Sequence, residues 1–87
     1  MPYELTIRKQ PIKTLQKMPR RNAKRIRHAM DKLADNPDRR DVDIASLRGR
    51  PGYRLRIGGI RIIFARDDDK QVIDVLRIAP RSHAYKQ

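Results

Sequence analysis

The sequence predicts a small α+β domain of order β-α-α-β-β-β, in which a helical hairpin covers one face of a mainly antiparallel sheet. Three observations carry that prediction. The opening run Tyr3-Glu4-Leu5-Thr6-Ile7-Arg8 alternates apolar and polar residues, the period of a half-buried strand. Ala23, Ile26, Met30, Leu33 and Ala34 recur every three or four positions, the period of an amphipathic helix. Gly58-Gly59 separates two alternating runs, and a two-residue glycine link between such runs is a strong hairpin signal. With 87 residues, the chain is expected to form one domain, residues 1–87, burying roughly 60% of its unfolded surface.

In chain order, the first strand places Tyr3, Leu5 and Ile7 on the inner face. Pro11 suits the first turn of a short helix, and Ile12, Leu15 and Met18 follow at a spacing of three until Pro19 interrupts. The second helix runs from about Arg20 to Asp35, where Asn36-Pro37 stops it. Arg20, Arg21, Lys24, Arg25 and Arg27 lie opposite its apolar stripe, as a solvated face that can also track a phosphate backbone. His28 falls off the stripe and is read as an ordinary helix residue. Asp38 to Asp43 is a charged connector, read as loop. Leu47 is expected to be buried as the chain enters the turn Arg48-Gly49-Arg50-Pro51-Gly52.

The hairpin then pairs Ile57 with Ile60, Arg56 with Arg61, Leu55 with Ile62, Arg54 with Ile63 and Tyr53 with Phe64. One face, from Tyr53, Leu55 and Ile57 to Ile60, Ile62 and Phe64, is core. The other sets Arg56 directly against Arg61, although like charges at cross-strand positions destabilise a sheet. An anion relieves that conflict, and the planar guanidinium fork suits phosphate oxygens, so a phosphodiester is the expected ligand. Asp67-Asp68-Asp69-Lys70 is a polar turn, and Gln71 to Ile78 is a β-branched run long enough for a central strand, which Pro80 ends. No internal repeat, linker or low-complexity segment interrupts this order.

Charge narrows the function. Twenty-two Lys and Arg oppose 10 Asp and Glu, a net charge of +12. That balance suits a polyanion, with nucleic acid ahead of an anionic membrane because no helix joins a basic face to large aromatic anchors. The chain has no cysteine, which excludes disulfides and thiolate metal sites and fits a reducing compartment. The N-terminal residues lack a basic lead before an apolar stretch, and the longest apolar run is Ile62-Ile63-Phe64-Ala65. A cytoplasmic protein without membrane association is expected.

Six arginines, Arg48, Arg50, Arg54, Arg56, Arg61 and Arg66, lie between Ile44 and Arg66 without a single acid. Arg77 and Arg81 lie on or just beyond the last strand, and period-two alternation puts both on one face if that strand runs straight. Tyr85 offers a ring for stacking on an exposed base. The unperturbed imidazole pKa of about 6.5 would let His83 donate or accept a proton at neutral pH. Other chemistry finds little support. The three aspartates at 67–69 lack calcium-loop spacing, Ser46 and Ser82 lack a nucleophile elbow, and no phosphate-binding P-loop occurs.

Taken together, these segments resemble the RelE/ParE superfamily, the toxic halves of type II toxin-antitoxin pairs. The resemblance spans almost the whole chain. It is carried by the opening strand, the helical pair ending in Leu33-Ala34-Asp35-Asn36-Pro37, Leu47-Arg48-Gly49, the segment from Tyr53-Arg54-Leu55-Arg56 to Phe64, and Arg81-Ser82-His83-Ala84-Tyr85. The superfamily divides into RNases that cut messenger RNA in the ribosomal decoding site and relatives that inhibit DNA gyrase. Basic residues on the hairpin and an aromatic ring near the C-terminus, matched by Arg54, Arg56, Arg61, Arg81 and Tyr85, favour the RNase branch.

That resemblance implies metal-free and cofactor-free cleavage, in which the RNA 2′-oxygen attacks its own phosphate. Arg61 would stabilise the transition-state charge. Arg81 would serve as general acid, with His83 as a neighbour able to substitute. Arg54, Tyr85, Arg48 and Arg50 would hold RNA. Relatives of this kind can carry lysine on the first hairpin strand. Arg56 stands there instead, and a guanidinium, which stays protonated across the physiological range, is a poor proton acceptor. It would therefore act by electrostatics, leaving His83 as the candidate base. The implied partners are messenger RNA, the ribosome and a RelB-like antitoxin that wraps the domain in a hetero-oligomer.

Overall fold

The computed structural model describes residues 2–80. Its order is β1 (Glu4–Ile7), α1 (Lys9–Lys17), α2 (Arg20–Asp35), β2 (Asp43–Ser46), β3 (Tyr53–Ile57), β4 (Ile60–Asp67) and β5 (Val72–Pro80). The five strands form one sheet in the order β1-β5-β4-β3-β2. β1 runs parallel to β5, and every other pairing is antiparallel. An additional edge strand, β2, thus begins at Asp43, the last residue of the segment read as connector, and runs through residues for which no element was expected. Ile44 and Ala45 are its only apolar residues, too few to announce a strand, and pairing with β3 defines it.

The β3–β4 register is the expected one at all five positions, from Tyr53 opposite Phe64 to Ile57 opposite Ile60. Gly58 has a φ of 55° while Gly59 does not enter the positive region, as in a type II′ turn. Leu55, Ile62 and Phe64 are each at most 1% exposed, and the Phe64 ring stacks on Tyr53 with centroids 5.6 Å apart. Ile26, Met30, Leu33 and Ala34 of α2 close the core over them, joined by Ile73, Val75 and Ile78 of β5. Each of these larger side chains contributes about 1.5–3 kcal/mol by leaving water.

α1 departs from its expected stripe. Pro11 is buried, Leu15 and Met18 are partly buried against the core, and Ile12 remains 43% exposed. On a helix the spacing of four and then three from Pro11 keeps one face, whereas Ile12 is rotated off it by a full residue. At the other side of the sheet, Leu47 N–H donates to the Gly52 carbonyl at 3.0 Å, closing the loop before β3. Gly52 has a φ of 118°, and a Cβ there would stand 3.1 Å from Leu47 Cδ1. The backbone conformation therefore favours glycine at that position, and an added Cβ would have to displace the Leu47 side chain.

Candidate functional site

The face of the sheet turned away from the core cluster carries two rows of side chains set by strand pairing. One row runs Ala45, Arg54, Ile63, Arg77 across β2 to β5; the next runs Asp43, Arg56, Arg61, Ala79. Paired residues share a face, so each row is a line of neighbours. Where the rows meet the loop before β3 lies a groove of about 280 Å³, with Arg50, Arg54, Arg61 and Arg77 around an apolar floor of Leu47, Ile63 and Ala79. No acidic side chain lines it.

Arg54 is the most enclosed of these cations, with 20% of its side chain exposed. Its Nη1 is buried and has no hydrogen-bond partner among the described residues. A guanidinium nitrogen desolvated without an acceptor is costly, and an anionic oxygen in the groove removes that cost. Asp43 offers only loose compensation. Its two oxygens lie 3.7 Å from Arg54 Nη1 and from Arg56 Nη1, beyond hydrogen-bond range. The acid-free stretch of sequence therefore acquires one carboxylate from just outside it, because β2 pairs Asp43 with Arg56.

Several expected site residues lie apart from the groove. Arg56 stands opposite Arg61 but is exposed and does not line it. Arg48 is exposed in the turn before β3 and does not line it either. Arg66 leaves the basic cluster altogether. Five positions beyond Arg61 it falls on the opposite face, where it bonds Asp68 at 2.7 Å, Asp38 at 2.9 Å and the Pro37 carbonyl at 3.3 Å. Its guanidinium also lies 5.7 Å from the Tyr3 ring centroid. Arg66 holds the Asp68 carboxyl below its usual range, and the same carboxylate raises the Tyr3 phenol by accepting its hydrogen bond. Arg81, His83 and Tyr85 lie outside the described residues.

Arg77 is the groove residue that the sequence reading left without a role. Phe64 pairs with Val75 and Ile63 with Arg77, so β5 carries one extra residue, Leu76. The strand therefore does not run straight, and its buried residues step from 73 to 75 and then to 78. That change of spacing is visible in the sequence and is the signature of a bulge. Among the described residues, no group of His, Asp or Glu side chains is arranged to hold a metal ion. None of the described helices is long and apolar enough to cross a membrane.

Comparison with known proteins places the fold and the family. A family model described as the ParE toxin of the type II toxin-antitoxin system parDE matches residues 6–85. The chain is 32% identical over 88 residues to a protein of Methanocaldococcus jannaschii assigned as toxin RelE1, covering 99% of this chain and 98% of that relative. Among solved structures it resembles a chain of the archaeal RelE-RelB complex from Pyrococcus horikoshii OT3. That match has a TM-score of 0.80 at 33% identity, over 93% of this chain and 97% of that one. The isolated E. coli RelE toxin shares the fold, with a TM-score of 0.72 at 20% identity over 97% of this chain and 96% of that one. By sequence, by the family model and by likeness to a solved relative, the chain belongs to the RelE/ParE superfamily of type II toxin-antitoxin toxins.

Proposed function

We propose that this toxin is a ribosome-dependent mRNA endonuclease of the RelE kind, acting in the cytoplasm and held inactive by a RelB-like antitoxin. The observation that carries the reading is the convergence of Arg50, Arg54, Arg61 and Arg77 on one groove that no acid lines. Four cations around an apolar floor suit a ribose-phosphate linkage, with the phosphate held by guanidinium groups and the sugar or base against Ile63. The 2′-oxygen attacks the adjacent phosphorus and the bond to the 5′-oxygen breaks, leaving a 2′,3′-cyclic phosphate and a free 5′-hydroxyl. Charge builds on the phosphoryl oxygens as that happens, and Arg61 stabilises it. Arg81 is the proposed donor to the departing 5′-oxygen and His83 the proposed base, both carried over from the family resemblance.

A groove of this charge also suits an acidic partner. Solved relatives from Pyrococcus horikoshii and Methanococcus jannaschii are RelE-RelB complexes, which supports a RelB-like antitoxin as the partner here. The match to a ParE family model favours a second reading, inhibition of DNA gyrase. One experiment separates them. Induced expression followed by mapping of transcript 5′ ends on translating ribosomes should reveal new cuts within the decoding site. Intact messages with lost supercoiling activity would instead establish the gyrase reading.

A further inference from the structure

Resting on the reading of the arginine groove as an RNA site, we propose that Arg77 is a further phosphate-binding residue of that groove and that Gln10 is its positioning residue. The period of β5 opposes this placement. Ile73 and Val75 face the core, so an uninterrupted strand would turn position 77 inward and Ile78 outward. The extra residue Leu76 reverses that outcome. Leu76 and Arg77 together occupy one outward place, Arg77 emerges on the groove, and Ile78 returns to the core at 1% exposure. Arg77 then sits directly across from Ile63, with Arg54 on the far side of the same isoleucine. Arg61, paired with Ala79, is its diagonal neighbour. Among the described residues Arg77 makes no ion pair, so its charge is available to a ligand.

A bulge is a place where register slips unless something holds it. β1 supports β5 only as far as Val75, which pairs with Ile7 and accepts from Arg8 N–H at 3.0 Å. Beyond that point α1 takes over. Gln10 Nε2 donates to the Ile78 carbonyl at 3.1 Å, and Gln10 Oε1 accepts from Ile78 N–H at 3.1 Å. One side-chain amide thus imitates a neighbouring strand on the residue that follows Arg77. The amide's own orientation is fixed as well. Thr14 Oγ1 spends its proton on the Gln10 carbonyl at 3.0 Å, so it can only accept from Gln10 Nε2, also at 3.0 Å. Gln10 therefore locks the C-terminal side of the bulge in the register that presents Arg77 to the groove.

The test is a salt titration of the full chain against a labelled single-stranded RNA decanucleotide. Arg77→Gln should weaken binding on the order of tenfold at low salt and make the log-log salt slope shallower by about 0.7, the loss of one phosphate contact on a single strand. Arg77→Lys should keep most of the slope. Gln10→Ala leaves every charge in place, yet it should weaken binding about threefold and make the slope shallower, because Arg77 is no longer held at the groove. Lys32→Gln, which removes one charge from the helix layer, should leave the slope unchanged. Native affinity and slope in Arg77→Gln would overturn the proposal, as would a Gln10→Ala protein that loses only thermal stability. If Arg61→Ala weakens binding while Arg77→Gln does not, only this inference fails. Absence of salt-dependent RNA binding by the native chain sinks the underlying reading with it.

Discussion

β4 carries an arginine near each end, and the two are treated in opposite ways. Arg66, with 17% of its side chain exposed, is enclosed by Asp68, Asp38, the Pro37 carbonyl and the Tyr3 ring. Arg61 faces another arginine across the ladder, lines a groove without acids, and makes no ion pair among the described residues. The first ties the start of β1, the loop after α2 and the β4–β5 turn to one point. The second adds repulsion to the fold and nothing visible in return. Uncompensated charge at a position fixed by a sheet is what a phosphate site requires, so under the proposed function the two arginines divide structure from function along one strand.

The contrast breaks most sharply under mutation. Arg61→Ala should lower ribosome-dependent cleavage on the order of 10²-fold, with no loss of stability in urea. An undiminished rate would remove Arg61 from the chemistry. Arg66→Ala should do the reverse, lowering the unfolding free energy by about 2 kcal/mol through lost charged hydrogen bonds while leaving the rate per folded molecule nearly unchanged. A large drop in cleavage with native stability would place Arg66 in the site after all.

Acid sharpens the same comparison. Arg66 lowers the Asp68 carboxyl, Arg8 lowers Asp74 through a two-pronged contact whose shortest leg is 2.7 Å, and Arg39 lowers Asp41 to about 2. In the unfolded chain these groups return to values near 3.9. Their contribution is therefore complete above about pH 4 and is lost as pH falls through the lower folded values. Urea midpoints should fall between about pH 4 and pH 2, and the fall should be smaller in Arg66→Ala, where Asp68 has lost its main partner. Equal acid profiles would show that the network stores no stability. The smallest expected effect is on β3, directly across from Arg61. Arg56→Gln relieves the cross-strand repulsion with Arg61 and should raise stability by about 0.2–1 kcal/mol in low salt.

The same two ends show what could be read from the chain. The hairpin was legible because Gly58-Gly59 fixes turn and register together, and α2 because five apolar residues keep one period between Pro19 and Pro37. β2 was not, since an edge strand with Ile44 and Ala45 as its apolar content is defined by its partner rather than by its own pattern. The α1 stripe was misread because Ile12, though apolar, is one residue out of phase with Pro11, Leu15 and Met18. Arg66 was counted with the basic cluster because it is near in sequence; the period of the strand places it on the other face. Arg77 was hidden by Leu76, whose insertion shows only as a step of three among Ile73, Val75 and Ile78. The expected roles of Arg81, His83 and Tyr85 fall outside the described residues.

In the proposed mechanism, arginines on neighbouring strands act together on one ribose-phosphate linkage. The most direct test is cleavage of a message on programmed ribosomes, with the nucleotide 5′ to the cut made either ribose or 2′-deoxyribose. The expected result is a cut only at the ribose, with 2′,3′-cyclic phosphate and 5′-hydroxyl ends, reduced on the order of 10²-fold by Arg61→Ala. Equal cutting of the deoxy-substituted message would contradict it.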